Sequence, residues 1–253
     1  MKALLAALIL TSLTSSYAED MQKYLNVTQN LVKEGKHEEA LERFVWFHEH
    51  ALEHNESMYG VRLSFALSYW KNLGETYPPA LKALIKMRDD KEKRIRDGKG
   101  DSNLFHDVLA LNRTLEDPKK SVALFEFVSK EQPAKSSEYW NVAKDVILEQ
   151  KRYDIARKYI KDVGTEFAKV KQMYDRKVTF YKNPQIGGER FKKYNENNFV
   201  SEVHKLIDLA LALGDREAAI RIRDSALRVI DDERLKNLIP ENKEAQQDGA
   251  LDS

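Results

Sequence analysis

The 253-residue chain carries 42 basic and 41 acidic side chains, a formal net charge of +1, and no cysteine. A balance this even gives no electrostatic footprint for nucleic acid or an anionic membrane, and the missing thiols exclude disulfides, thiolate metal sites and cysteine nucleophiles. Only 10 Gly and 6 Pro interrupt it, which, with abundant Ala, Leu, Glu, Lys and Arg, predicts an all-helical fold.

The first eighteen residues differ from the rest. Lys2 precedes the apolar run "ALLAALIL", and the small-x-small triplet Ser16-Tyr17-Ala18 is followed by Glu19 and Asp20. This is the layout of a secretory signal peptide over 1–18, cut after Ala18. The run is far shorter than the roughly 20 apolar residues a membrane span needs, and no cysteine follows it to carry a lipid. The expectation is an exported protein, periplasmic or secreted, with no stable membrane insertion once the signal is removed.

Helical spacing then recurs. Leu41, Phe44, Val45, His48 and Leu52 form one stripe, widened by Ala40, Phe47 and Ala51, so His48 is expected as a hydrogen-bonded packing residue. Leu63, Ala66, Leu67, Trp70 and Leu73 repeat the pattern, as do Trp140, Ala143, Ile147 and Leu148. On the far side of the first of these helices lie His50, Glu53 and His54, an H-x-x-E-H string. It resembles the zinc signature of the inverzincin metalloproteases. That resemblance implies a metal-dependent hydrolase with a third ligand from a downstream Glu in a sheet-containing domain. No strand alternation occurs here, so the string is read as an exposed helix face without metal, and the hydrolase is kept as an alternative. No nucleophile elbow or Gly-rich phosphate loop accompanies it, and no cofactor is expected.

The turns share a downstream context. Gly35 precedes Ala40 and Phe44, Lys151 precedes Ala156 and Ile160, and Gly214 precedes Ala219 and Ala226. Sixteen residues before the small residue stand Tyr24, Trp140 and Val203. This pattern resembles the tetratricopeptide repeat, a helix-turn-helix unit of about 34 residues. Five units fit, near 21–54, 61–94, 102–135, 137–170 and 200–233. The third departs by placing Ser121 at the small position, and Thr28 and Lys144 stand where Gly or Ala is usual. The resemblance implies a right-handed α-solenoid of antiparallel helix pairs over 19–239, with Ala156 and Ala219 in tight seams.

Between about 171 and 199 the pattern breaks. A helix is expected to end near Lys182, and Pro184 with Gly187-Gly188 marks a loop before a helix resuming near Glu189. The polar segment 240–253 lacks apolar periodicity and is expected to be disordered. By resemblance, the first helices of such repeats line a concave groove that takes extended peptides or a partner's segment. Carried over one position at a time, the groove residues are Arg62, Tyr69, Asn72, His106, Arg113 and Asn141, none of them needed by the core. The function implied is a non-catalytic scaffold for a protein or peptide partner. A small-molecule or cell-wall-fragment module is a further alternative.

Overall fold

The computed structural model describes residues 21–181 and 188–239. The expected signal peptide and the expected disordered tail lie outside them. The described residues form thirteen α-helices and one 3-10 turn, with no strand among them. The chain divides into two compact units, Met1–Val146 and Ile147–Ser253. The first unit holds α1 (21–33), α2 (His37–His54), the 3-10 turn Glu56–Met58, α3 (Tyr59–Arg62), α4 (Phe65–Thr76), α5 (Pro78–Arg96), α6 (Ser102–Thr114) and α7 (Pro118–Glu131). The division falls inside α8 (Pro133–Glu149). The second unit holds α9 (Tyr153–Tyr159), α10 (Val163–Tyr181), α11 (Glu189–Ala212), α12 (Arg216–Leu227) and α13 (Glu233–Lys236). Helices that follow one another in sequence pack together, as in α4–α5, α5–α6 and α6–α7 of the first unit and α10–α11 and α11–α12 of the second.

Four turns between helices are built alike. Each has one residue in the left-handed region: Gly35 (φ 76), Glu116 (φ 59), Lys151 (φ 54) and Gly214 (φ 79). Its N–H bonds the carbonyl three residues back, and the next N–H reaches five back. Gly35 N meets Val32 O at 3.1 Å and Lys36 N meets Leu31 O at 2.9 Å; Glu116 and Asp117 repeat this at 3.1 and 2.9 Å, Lys151 and Arg152 at 3.0 and 2.9 Å, and Gly214 and Asp215 at 3.0 and 2.9 Å. These Schellman closures satisfy carbonyls that a helix end would otherwise leave open. Glycine enters this conformation freely, whereas Glu116 and Lys151 carry a penalty of about 1–2 kcal/mol. Five residues after each turn residue comes a small side chain, Ala40, Ser121, Ala156 or Ala219, at most 2% exposed. The small residue lets one helix approach the next.

The first unit is centred on Phe44, Phe47, Leu67, Trp70 and Leu84, all buried. The Trp70 indole N–H donates to the Ala80 carbonyl at 2.9 Å. A Cβ on Gly74 would lie 3.0 Å from Leu81 Cβ, so α4 and α5 touch there without room for a side chain. Farther along, Phe105 stacks on Tyr139 at 4.7 Å and meets Phe125 edge-on at 6.2 Å. In the second unit Phe199 contacts Tyr174 at 4.8 Å and Phe167 at 6.4 Å, and Val203, Ile207 and Ile222 complete an apolar interior.

Two expectations are corrected. The second helix of the fourth unit stops at Tyr159, and Ile160 turns extended (φ −92, ψ 103). Asp162 then takes the N–H groups of Gly164 at 3.1 Å and Thr165 at 2.9 Å, a strong cap that starts α10 immediately. Residues 163–170 therefore belong to α10 rather than to a continuation of α9. The stretch 171–199 is also regular where described: it is the end of α10 and the beginning of α11.

Candidate functional site

The α4 helix exposes Ser68, Lys71 and Asn72 along one face, one turn from Ser64, because residues three and four apart stack on a helix. The last turn of α6 contributes Arg113 and Thr114, and the left-handed turn beyond it contributes Glu116. With Leu63 these residues line a cleft of about 570 Å³. Its lining is almost entirely polar. Lys71 and Glu116 form an ion pair across it, and the hydrogen bond and charge of Lys71 hold the Glu116 carboxyl below the usual range.

A break between α3 and α4 shapes the floor. Leu63 (φ −90, ψ 0) ends α3, and Ser64 (φ −130, ψ −90) leaves helical geometry before Phe65 resumes it. Ser64 Oγ donates to the Gly60 carbonyl at 2.6 Å, and Arg113 Nη2 donates to the Leu63 carbonyl at 3.0 Å. Arg113 thereby satisfies a carbonyl that the break removes from the helix ladder.

The residue before Leu63 points the other way. Arg62 is 4% exposed. Its two terminal nitrogens bond both carboxylate oxygens of Asp107, Nη1 to Oδ2 at 3.0 Å and Nη2 to Oδ1, and Nη1 also donates to the His48 carbonyl at 3.1 Å. Lys91 Nζ donates to Asp107 Oδ2 at 2.7 Å. Burial alone would raise the Asp107 carboxyl, but the Arg62 bonds and the two cations outweigh it and hold the group low. His48 Nε2 lies 3.9 Å from the same carboxylate, yet burial, then Arg62 and Lys91, lower the ring to about 3. It is a neutral imidazole beside an ion network, not a third cation. His48 Nδ1 and Arg62 Nε have no hydrogen-bond partner.

The six expected groove residues fall in several environments. Asn72 and Arg113 share the cleft. Tyr69 is half-buried against the core of the first unit, and His106 is half-buried with Nδ1 at 2.8 Å from the Tyr59 hydroxyl. Asn141 is exposed on α8. Arg62 is a correction: it is interior, and the core does need it. The register that assigns it to the groove assumes an unbroken helix, and the α3–α4 break turns its side chain inward. Sequence reading also misses Asp107 and Lys91. A signal exists for both. Asp107 sits on the apolar stripe of α6, three after Leu104 and four before Leu111, and Lys91 sits between Leu84 and Ile95 on that of α5.

The H-x-x-E-H string lies on the outer face of α2. His50 Nδ1 meets Glu53 Oε1 at 3.2 Å, and the rings of His50 and His54 lie 5.5 and 5.3 Å from that of Trp46. No group of three metal-ligating side chains is assembled among the described residues, and none of their helices is long and apolar enough to cross a membrane. Compared with known proteins, the chain has no match among family models, curated sequences or solved structures.

Proposed function

We propose that this chain is an exported, non-catalytic, tetratricopeptide-like scaffold, a right-handed α-solenoid of antiparallel helix pairs that holds an extended peptide segment in the α4–α6 cleft. The recurring left-handed turns and the small buried residue five positions after each support the repeat reading. The apolar run and the Ser16-Tyr17-Ala18 triplet support export. One observation carries the binding site: Asn72 and Arg113, from two different helices, line the same polar cleft. An exposed guanidinium suits a carboxylate of the peptide, and a primary amide can both donate to and accept from a peptide backbone.

The test is selection from a displayed peptide library on the full chain, followed by binding titrations. Selected peptides should carry a carboxylate, and Asn72→Ala and Arg113→Ala should each weaken them about tenfold, as for loss of a charge-assisted hydrogen bond. Peptides that bind the double variant as well as the parent chain would remove the cleft from consideration. Export has its own check: the native protein should begin at Glu19.

A further inference from the structure

We propose that the end of the α10–α11 hairpin is a docking surface for anionic lipid. Four of the nine exposed large hydrophobic residues lie on these two helices: Met173 at 51%, Phe180 at 51%, Phe191 at 37% and Tyr194 at 62%. The 24-residue α11 is twice the length of the 12-residue α12 that follows its C-terminal end. The first half of α11 therefore runs beyond the helix that covers the second half.

The charges are equally local. Over described residues 171–181 and 188–196 there are six basic and three acidic side chains, in a chain whose total is +1. Lys171 pairs with Asp175 at 2.7 Å and Lys192 with Glu189 at 3.4 Å. Arg176, Lys177, Arg190 and Lys193 make no ion pair among the described residues. On α10, Met173, Lys177 and Phe180 follow one another at helical spacing, and on α11 Arg190 and Lys193 share a face with Tyr194. Each large apolar side chain thus stands within about a turn of an unpaired cation. That interleaving lets rings enter the boundary between headgroups and acyl chains while the cations meet phosphates. A fluid surface also fits side chains that protrude from two helices, where a folded acidic partner would have to offer a matching recess for each. The contact is peripheral and does not cross the bilayer. It involves neither Asn72 nor Arg113, so it stands or falls apart from the cleft.

Co-sedimentation of the full chain with phosphatidylcholine vesicles, with and without phosphatidylglycerol, tests this. The protein should sediment only with the anionic vesicles and be released by salt. Arg190→Gln with Lys193→Gln should lower partitioning by roughly 25-fold, about fivefold per cation, and Phe180→Ser with Phe191→Ser by at least about tenfold. All four positions are exposed or at a helix surface, so melting temperatures should hold. If a variant melts early, Tyr194→Trp in the otherwise unaltered chain decides, by blue-shifted emission that brominated lipid quenches. Absence of sedimentation, equal binding to neutral vesicles, or variants that bind like the parent would overturn the proposal. Retention on polyglutamate without vesicle binding would overturn it in favour of an acidic protein.

Discussion

Among the described residues, eight of the nine buried polar or charged side chains belong to the first unit, and Asn195 alone belongs to the second. The large hydrophobics invert this asymmetry, since Met173, Phe180, Phe191 and Tyr194 are all exposed in the second unit. One unit buries charge and the other displays apolar surface. The first gains little net stability from its ion network, because desolvation offsets most of the Coulomb attraction. What it gains is intolerance: each member fixes the position of the others. The second relies on close apolar packing, which tolerates pH but not added volume.

The sharpest way to break this contrast is Asp107→Ala. It leaves Arg62 and Lys91 as uncompensated interior cations and should cost about 3–5 kcal/mol in chemical denaturation. A loss under about 1 kcal/mol would mean that water already reaches the network. Acid should act more gently through His48. Its ring is held at about 3 in the fold against 6.5 for an ordinary histidine, by burial first and then by Arg62 and Lys91, with Asp107 opposing. Below about pH 6.5 the unfolded chain binds a proton that the folded chain refuses. The contribution is thus complete above that pH and falls by up to roughly 1.4 kcal/mol per pH unit toward 3, or about 2 kcal/mol by pH 5. Asp107, whose folded value is depressed, adds a further loss only below about 3.9. Denaturation curves at pH 7 and pH 5 should converge in His48→Gln.

In the second unit the matching test is volume. Ala219→Leu should cost roughly 1–3 kcal/mol at any pH in that range, and a neutral result would dissolve the close-packed seam. The smallest effect concerns the turns. Lys151→Gly should stabilise by about 1 kcal/mol by relieving left-handed strain, and Gly214→Ala should cost about as much; thermal melts that move the other way would show that the turns are not equivalent.

Much of the architecture is legible in the sequence because it is local. Gly35, Lys151 and Gly214 with their downstream alanines announce the turns in one stretch of chain. The departures have structural reasons that a linear reading does not supply. Ser121 accepts from Asn112 Nδ2 at 3.1 Å, and Arg88 donates to Asn112 Oδ1 at 3.1 Å, so a hydroxyl at the small position closes a buried relay. Thr28 Oγ1 donates to the Tyr24 carbonyl at 2.8 Å and accepts from Arg43 Nε at 3.1 Å. Repeat register misplaces Arg62 because its carboxylate partner lies 45 positions away. Net charge misleads at the α10–α11 hairpin, since a sum over the chain cancels an excess confined to one end of two helices.

The Arg113 bond to the Leu63 carbonyl has a kinetic consequence. A carboxylate that draws the guanidinium fully to itself must take it from the α3–α4 joint, leaving a main-chain acceptor to find water. Occupancy and backbone opening then become one event, and the residence time of a bound segment is set by how readily that joint closes again. Amide hydrogen exchange around residues 63–68 should therefore quicken when the cleft is filled, although filled sites ordinarily exchange more slowly.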